Sequence, residues 1–553
     1  MVQKNQSWNS RIGLILAMAG SAVGLGNFLR FPIQAIQNGG GAFIIPYLVS
    51  FVLLGIPMTM IEWSIGKLGG QRGHHSPPML MQRVNRHVCW RYIGSLGLFS
   101  SIIISSYYCF IESWIFSYMF HSLFGSFDGL TELQVSQFFD DYLHLSVSMS
   151  GIPYDTIFSF AFCLLLNVYI LSKGVSGGIE RVAKVCMPLL IFFGLFLVYQ
   201  AFTLKAGEKG ASFDGTVGLN FLWTPQFDSL SNPKVWLAAA GQVFFTLSLG
   251  MGAVQSYASY LKKNEDIALS SLTSAFTNEF TEVVLGSSII IPISIGYFGI
   301  DRVVELTQSG GFGLGFRTMP YLFEQWGPVL SNLAGFAFFG LLFFASITST
   351  LSIIQPSVAY ISKSYDWSQR KSSYIAGVVI LFLALPCVIF FDKGVFDEYD
   401  YWGGTMSLFL FAMLESVAFS WIMGTSKGWQ IITDHADLKI PSFFRCIIKY
   451  VTPTMLIVIF ISSLIKPLND DWSLLSWTGW EVDNSSIIGQ LTHKGVDPTD
   501  PNLFYIDATR IYLLCVVLLI WGLVYYTGHI RKKKIMIQRI EDLQDEKKNI
   551  END

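Results

Sequence analysis

Charge is scarce in this chain of 553 residues. Asp, Glu, Lys and Arg together make up 14% of it, against 52% hydrophobic residues and a mean hydropathy of +0.48. So little charge beside so much apolar sequence excludes a water-soluble globule and implies a polytopic membrane protein. Paired cysteine spacing is missing as well: Cys89, Cys109, Cys163, Cys186, Cys387, Cys446 and Cys515 mostly sit in or beside apolar runs, so neither a disulfide framework nor a metal motif is implied. No HExxH or comparable motif occurs, and the eight histidines (His74, His75, His87, His121, His144, His435, His493 and His529) fall in loops or at the ends of apolar runs. That argues against an intramembrane enzyme. A cleavable signal is not expected, because the apolar stretch after MVQKNQSWNSR is too long for a signal core and lacks a small-residue cleavage pattern. A net charge of −3 gives no reason to expect nucleic acid as a partner; the expected partner is the lipid bilayer.

The sequence does contain long apolar runs. Crossing a bilayer takes roughly 20 mostly apolar residues, and twelve such runs are centred near residues 22, 54, 106, 165, 194, 245, 284, 346, 382, 412, 456 and 517. The expected fold is therefore all-α, with both termini on one side. Lys67, Arg72, Arg83, Arg86 and Arg91 lie between the second and third runs, whereas His121 to Tyr154, between the third and fourth, contains no Lys or Arg. The excess of basic residues predicts cytoplasmic termini in a plasma membrane, a bacterial inner membrane being the expected one. Arg531, Lys532, Lys533 and Lys534, which open the charged tail 531–553, agree with that orientation. A polar insertion, about 466–507, separates the last two spans; the glycosylation pattern at Asn484 inside it carries no information, since Asn5 in the cytoplasmic segment 1–10 matches equally.

One run is poorly built for a continuous helix. GSAVGLGNFLR, from Gly20 to Arg30, holds three glycines, an asparagine and an arginine. Gly20 and Gly24 alone read as a helix-packing pair, but Gly24 and Gly26 flank a single residue, Asn27 follows, and Arg30 is costly at depth without water or a partner. The sixth run partly echoes it: in FFTLSLGMGA, Gly250 and Gly252 flank Met251 after Thr246 and Ser248. Matching interruptions in the first and sixth spans predict two inverted five-span repeats, 11–204 and 233–424, with spans 11 and 12 added over 442–530. Such paired breaks point to a transporter with a midplane site.

RIGLILAMAGSAVGLGNFLRFP, NGGGAFIIPY, YYCFIESW, GQVFFTLSLGMGA, TNEFTEVVLG, FFASITSTLSIIQP and DEYDYWGGT occur in that order. Together they resemble the neurotransmitter:sodium symporter family, most closely its bacterial leucine transporter branch, from about Trp8 to Tyr450. The resemblance implies two sodium sites. The first would use carbonyls of Ala22 and Thr246, the Thr246 hydroxyl, and the amide oxygens of Asn27 and Asn278. The second would use carbonyls of Gly20, Val23 and Ala345 with the hydroxyls of Thr348 and Ser349; residues 345, 348 and 349 do share one helical face. The usual fate of such hydroxyls is a bond back to their own helix.

Neither set includes a side-chain carboxylate. Amine transporters of the family carry Asp at the position of Gly24, so glycine here implies a substrate that brings its own carboxylate to the first sodium, an amino acid. Amides near Leu25 and Gly26 and the Tyr108 hydroxyl would meet that carboxylate, and carbonyls near Ala22, Phe245, Thr246 and Ser248 would meet the ammonium. Ile104, Tyr108, Phe245, Met251, Ser349 and Ile353 would line an apolar side-chain pocket. Ser21 and Met251 depart from the branch, which has Asn and Phe there; a flexible thioether suits aliphatic and aromatic side chains alike. Arg30 and Asp400, with Phe245 as lid and Gln242 nearby, resemble the outer gate, and Trp8 resembles the inner one. The inner ion pair is missing, since Asn5 and Lys363 stand where Arg and Asp are usual, and Lys4 and Asp366 are the candidate substitutes. Glu282, four residues after Asn278 and on its face, stands where chloride-dependent members carry Ser, so no chloride requirement is expected. The expected activity is sodium-coupled import of hydrophobic L-amino acids by alternating access. An amine or osmolyte symporter, or a non-transporting amino-acid sensor, is the alternative.

Overall fold

The computed structural model describes residues 7–143, 154–467, 481–495 and 497–552, the stretch from 531 onward by its backbone alone. It is helical almost throughout; among the described residues the only strand-like pairing is an isolated bridge between Pro467 and Val482. Fifteen helices position the site: α1 (Arg11–Ala22), α2 (Gly26–Gln37), α3 (Gly41–Gly70), α4 (Pro77–Val84), α5 (Cys89–Leu123), α6 (Tyr154–Ser172), α7 (Val175–Thr203), α8 (Pro233–Thr246), α9 (Ala253–Ala258), α10 (Ile267–Leu306), α11 (Pro328–Tyr365), α12 (Gln369–Ile389), α13 (Val395–Ile422), α14 (Phe443–Leu464) and α15 (Leu503–Asn552).

Among the described residues, ten single helices are long and apolar enough to cross a membrane, and α1 with α2, bent by 49°, make an eleventh. The sixth apolar run is interrupted, as its glycines predict: it folds as α8 and α9, 14 and 6 residues long, neither able to span alone. The reason lies in the connecting residues: Ser248, Gly250 and Gly252 all have positive φ (54°, 76° and 73°), which a helix cannot absorb. The insertion also ends earlier than expected, because Asp500 turns the chain into α15 at Leu503 rather than after residue 507; its side chain accepts from Asn502 N and its carbonyl from Leu503 N.

Helix starts follow local chemistry. Ser10, Asn232, Asp266 and Ser368 each cap α1, α8, α10 and α12 with a side-chain oxygen that accepts a first-turn amide. Proline sits in the first turn of α8 and α11, where a missing N–H costs nothing. The most buried spans, α5 and α11, pack against each other at the centre, 83% and 94% buried over their apolar windows, whereas α14 and α15 are only 28% buried and face outward. Serine lines this core. Ser105, Ser106 and Ser113 on α5 bond back to their own helix, while Ser101 donates to the Ile353 carbonyl of α11.

Candidate functional site

The break between α1 and α2 and the break between α8 and α9 face each other beside α5 and α11. A cavity of about 330 Å³ opens there. All eleven residues expected at the substrate site line it: Ala22, Leu25 and Gly26 from the first break, Ile104 and Tyr108 from α5, Phe245, Thr246, Ser248 and Met251 from the second break, and Ser349 and Ile353 from α11. The cavity continues past Arg30, Asp400 and Tyr107 to Gln34, Gln37 and Gln308, away from Trp8.

The glycines of the two breaks do different work. Gly24 and Gly26 keep negative φ, and what they supply is space. A Cβ on Gly24 would lie 2.8 Å from Ser349 Oγ and 3.1 Å from the Tyr108 hydroxyl, and one on Gly26 would lie 2.9 Å from the Phe245 ring. In the second break, Gly250 and Gly252 supply backbone conformation as well as space. A Cβ on Gly250 would collide with the Leu408 carbonyl and one on Gly252 with Pro77.

Freed backbone groups are met by side chains. Glu62 of α3 accepts from Gly250 N at 2.7 Å, and Ser248 donates to the Ser21 carbonyl at 3.0 Å, tying one break to the other. A carboxylate in an apolar run signals a buried partner, so Glu62 was readable as important; its partner was not, because 188 residues separate them.

Two groups of oxygens flank the cavity floor. In the first, Asn27 accepts from Gly24 N at 2.8 Å and donates to Asn278 Oδ1 at 2.8 Å, while Asn278 donates to Thr246 Oγ1 at 3.0 Å. In the second, Ser349 Oγ lies 3.3 Å from the Gly20 carbonyl and 3.4 Å from those of Ser21 and Val23. Thr348 Oγ1 lies 3.1 Å from the Ala345 carbonyl and bonds back to Phe344. Both donor sets are neutral oxygens on buried residues, the chemistry a hard monovalent cation requires. Ser21, absent from the expected sets, joins the second through its carbonyl.

The gate residues are arranged as follows. Arg30 lies over the Phe245 ring, 4.1 Å from its centroid, and Asp400 accepts from the Tyr107 hydroxyl at 2.8 Å. The expected Arg30–Asp400 contact is not among the ion pairs of the described residues; both side chains line the cavity, and Asp400 still bears on Arg30 through its charge. Gln242 donates to Glu282 and, at 3.5 Å, to the Gly26 carbonyl. Glu282 is fully buried; it also accepts from Tyr47 at 2.7 Å, and Thr246 and Arg30 bear on it, so it adjoins the first oxygen group.

Trp8 is buried and donates to the Tyr257 carbonyl at 3.2 Å. Asn5 and Lys4 lie outside the described residues. Asp366 ends α11 in a left-handed conformation. Two anchors near Trp8 were not expected: Glu180 accepts from Asn9 N and the Ser10 hydroxyl at 2.8 and 2.9 Å, and Arg11 pairs with Asp437 at 3.3 Å and Asp266 at 3.7 Å.

Comparison with known proteins agrees with this architecture. The sodium:neurotransmitter symporter family matches residues 5–130 and 128–488. An uncharacterized sodium-dependent transporter of Methanocaldococcus jannaschii is 30% identical over 460 residues, covering 82% of this chain and 89% of its own. The sodium- and chloride-dependent GABA transporter 2 of Homo sapiens is 25% identical over 87% of this chain and 85% of its own. Among solved structures, MhsT in complex with L-phenylalanine aligns with a TM-score of 0.71 and 29% identity, over 83% of this chain and all of its own. With paired helix breaks around one cavity, two groups of cation-suited oxygens and a family match along most of its length, the chain belongs to the sodium:neurotransmitter symporter family, as a sodium-dependent, multi-pass membrane transporter and not an enzyme.

Proposed function

We propose that the protein imports hydrophobic L-amino acids, aliphatic and aromatic, coupled to two sodium ions and without a chloride requirement. The observation that carries this reading is the polar end of the cavity. Among the described residues, Asp400, above Phe245, is the one acidic side chain on the cavity wall. Below it the polar groups are amides, carbonyls and hydroxyls, and Ser349 and Tyr108 crowd the place where a carboxylate on residue 24 would stand. A substrate carboxylate would complete the first cation's shell from Ala22, Asn27, Thr246 and Asn278, and take hydrogen bonds from Tyr108 and the α2 amides. Ala22, Phe245, Thr246 and Ser248 carbonyls would hold its ammonium, and Ile104, Ile353, Phe245 and Met251 its side chain. Gly20, Val23, Ala345, Thr348 and Ser349 would hold the second sodium.

Sodium's role is to bring fixed positive charge beside the substrate; everything else is done by the chain. Glu282 would balance that charge from beside the first site, in place of chloride. The bound L-phenylalanine of MhsT, a 29% identical structure, supports an amino-acid substrate. Basic loops and prokaryotic relatives support cytoplasmic termini in a bacterial inner membrane. A broken span followed by two long ones in both 11–123 and 233–365 supports two repeats over 11–204 and 233–424.

The deciding experiment is uptake of each common amino acid into proteoliposomes under an inward sodium gradient. Accumulation of Leu, Phe and Trp is expected. Accumulation of amines alone would refute the substrate class, and binding without accumulation would mean a sensor.

A further inference from the structure

A histidine ring is flat, neutral above its ordinary pKa of about 6.5 and charged below it. His75 lies in the loop between α3 and α4, on the Trp8 side of the cavity. Its ring is stacked on that of Tyr260, with centroids 4.3 Å apart and planes 3° from parallel. Ser259 spends its hydroxyl proton on the Ser256 carbonyl, so the 2.8 Å contact between Ser259 Oγ and His75 Nδ1 requires Nδ1 to donate. The ring therefore carries a proton on Nδ1, which leaves Nε2 as the atom that titrates.

The stack lies between the loop before α4 and the segment that follows α9. On one side, α4 is held to α5 by close backbone approach, since a Cβ on Gly94 would lie 2.8 Å from Pro78 Cα. On the other, the segment following the α9 break carries both Tyr260 and Tyr257, the residue on which Trp8 rests. Ser256 donates to the His75 carbonyl at 2.8 Å, and Tyr260 accepts from Gln355 of α11 at 2.9 Å. Lys363 from α11 bears on the ring, as does neighbouring His74, itself 2.7 Å from Arg83 of α4. Partial burial first, then the Lys363 charge, push the imidazole below its ordinary value.

We propose that the His75–Tyr260 stack is the latch that holds the Trp8 side shut, and that protonation of His75 opens it. The proposal rests on the alternating-access reading above, in which this side must open. The latched ring resists protonation, whereas a ring freed into water recovers a pKa of about 6.5, so acid favours the open form. Between pH 7.5 and 5.5 the open-to-closed ratio should rise about tenfold.

The test is backbone hydrogen exchange of residues 253–261, corrected for intrinsic rate, on the full chain in nanodiscs with sodium at pH 7.5 and 5.5. The parent should exchange about tenfold faster at pH 5.5. His75→Phe, which can stack but cannot titrate, should lose that difference and stay protected; His75→Ala should be poorly protected at both pH values. A pH response that survives in His75→Phe, or protection unchanged in His75→Ala, would overturn the latch. Exchange needs no substrate, so a failure of the amino-acid reading in uptake assays leaves this result separate.

Discussion

At Gly24 a missing side chain decides what the cavity can hold. Its Cβ position is closed off by Ser349 and Tyr108, so Gly24→Asp both crowds the site and puts a second carboxylate where the substrate's own would go. Leucine uptake by this variant should fall at least tenfold; uptake equal to the parent would contradict the assignment. Met251 predicts breadth: tryptophan should compete with leucine in the parent, and Met251→Phe should narrow that range in a competition assay. Glu282→Ser should make uptake depend on external chloride, read by replacing chloride with gluconate, while the parent should be indifferent. Residue types at the cavity were legible in the sequence because glycine pairs, hydroxyls and amides are conspicuous in apolar runs. The surroundings of Glu282 were not: Tyr47 lies 235 residues away in sequence and Gln242 lies 40 away, and nothing local announces either contact.

Among the elements, both breaks were readable from glycine spacing, but the physical reason for each was not. The first needs small residues for close approach. The second needs positive φ at Gly250 and Gly252, and Ser248 adopts it too. Gly250→Ala should therefore cost at least about 1–2 kcal/mol from backbone strain alone, with the collision against the Leu408 carbonyl added. A melting temperature lowered by several degrees in detergent is the expected reading, and an unchanged one would mean that the α8–α9 connection relaxes freely. The two breaks together explain why twelve apolar runs gave ten unbroken spanning helices among the described residues: hydropathy counts apolar residues regardless of φ, so a run interrupted at Val23 or Ser248 still looks like a span.

For the molecule as a whole, the account has one central claim, that substrate and sodium share a site through the substrate's carboxylate. Helices and family were legible from composition and seven ordered motifs, whereas the closure of the Trp8 side was not, because it depends on His75, Tyr260, Glu180 and Arg11 meeting partners remote in sequence. Sharing makes coupling obligatory, and coupling is reciprocal: sodium must raise substrate affinity by the factor by which substrate raises sodium affinity. The most direct measurement is equilibrium binding of leucine to the purified protein in sodium and in potassium buffer, for the parent, Asn27→Ala and Thr246→Ala. Affinity in the parent should rise at least tenfold with sodium, and both variants should lose most of that rise. Equal affinity in the two buffers would contradict the shared site.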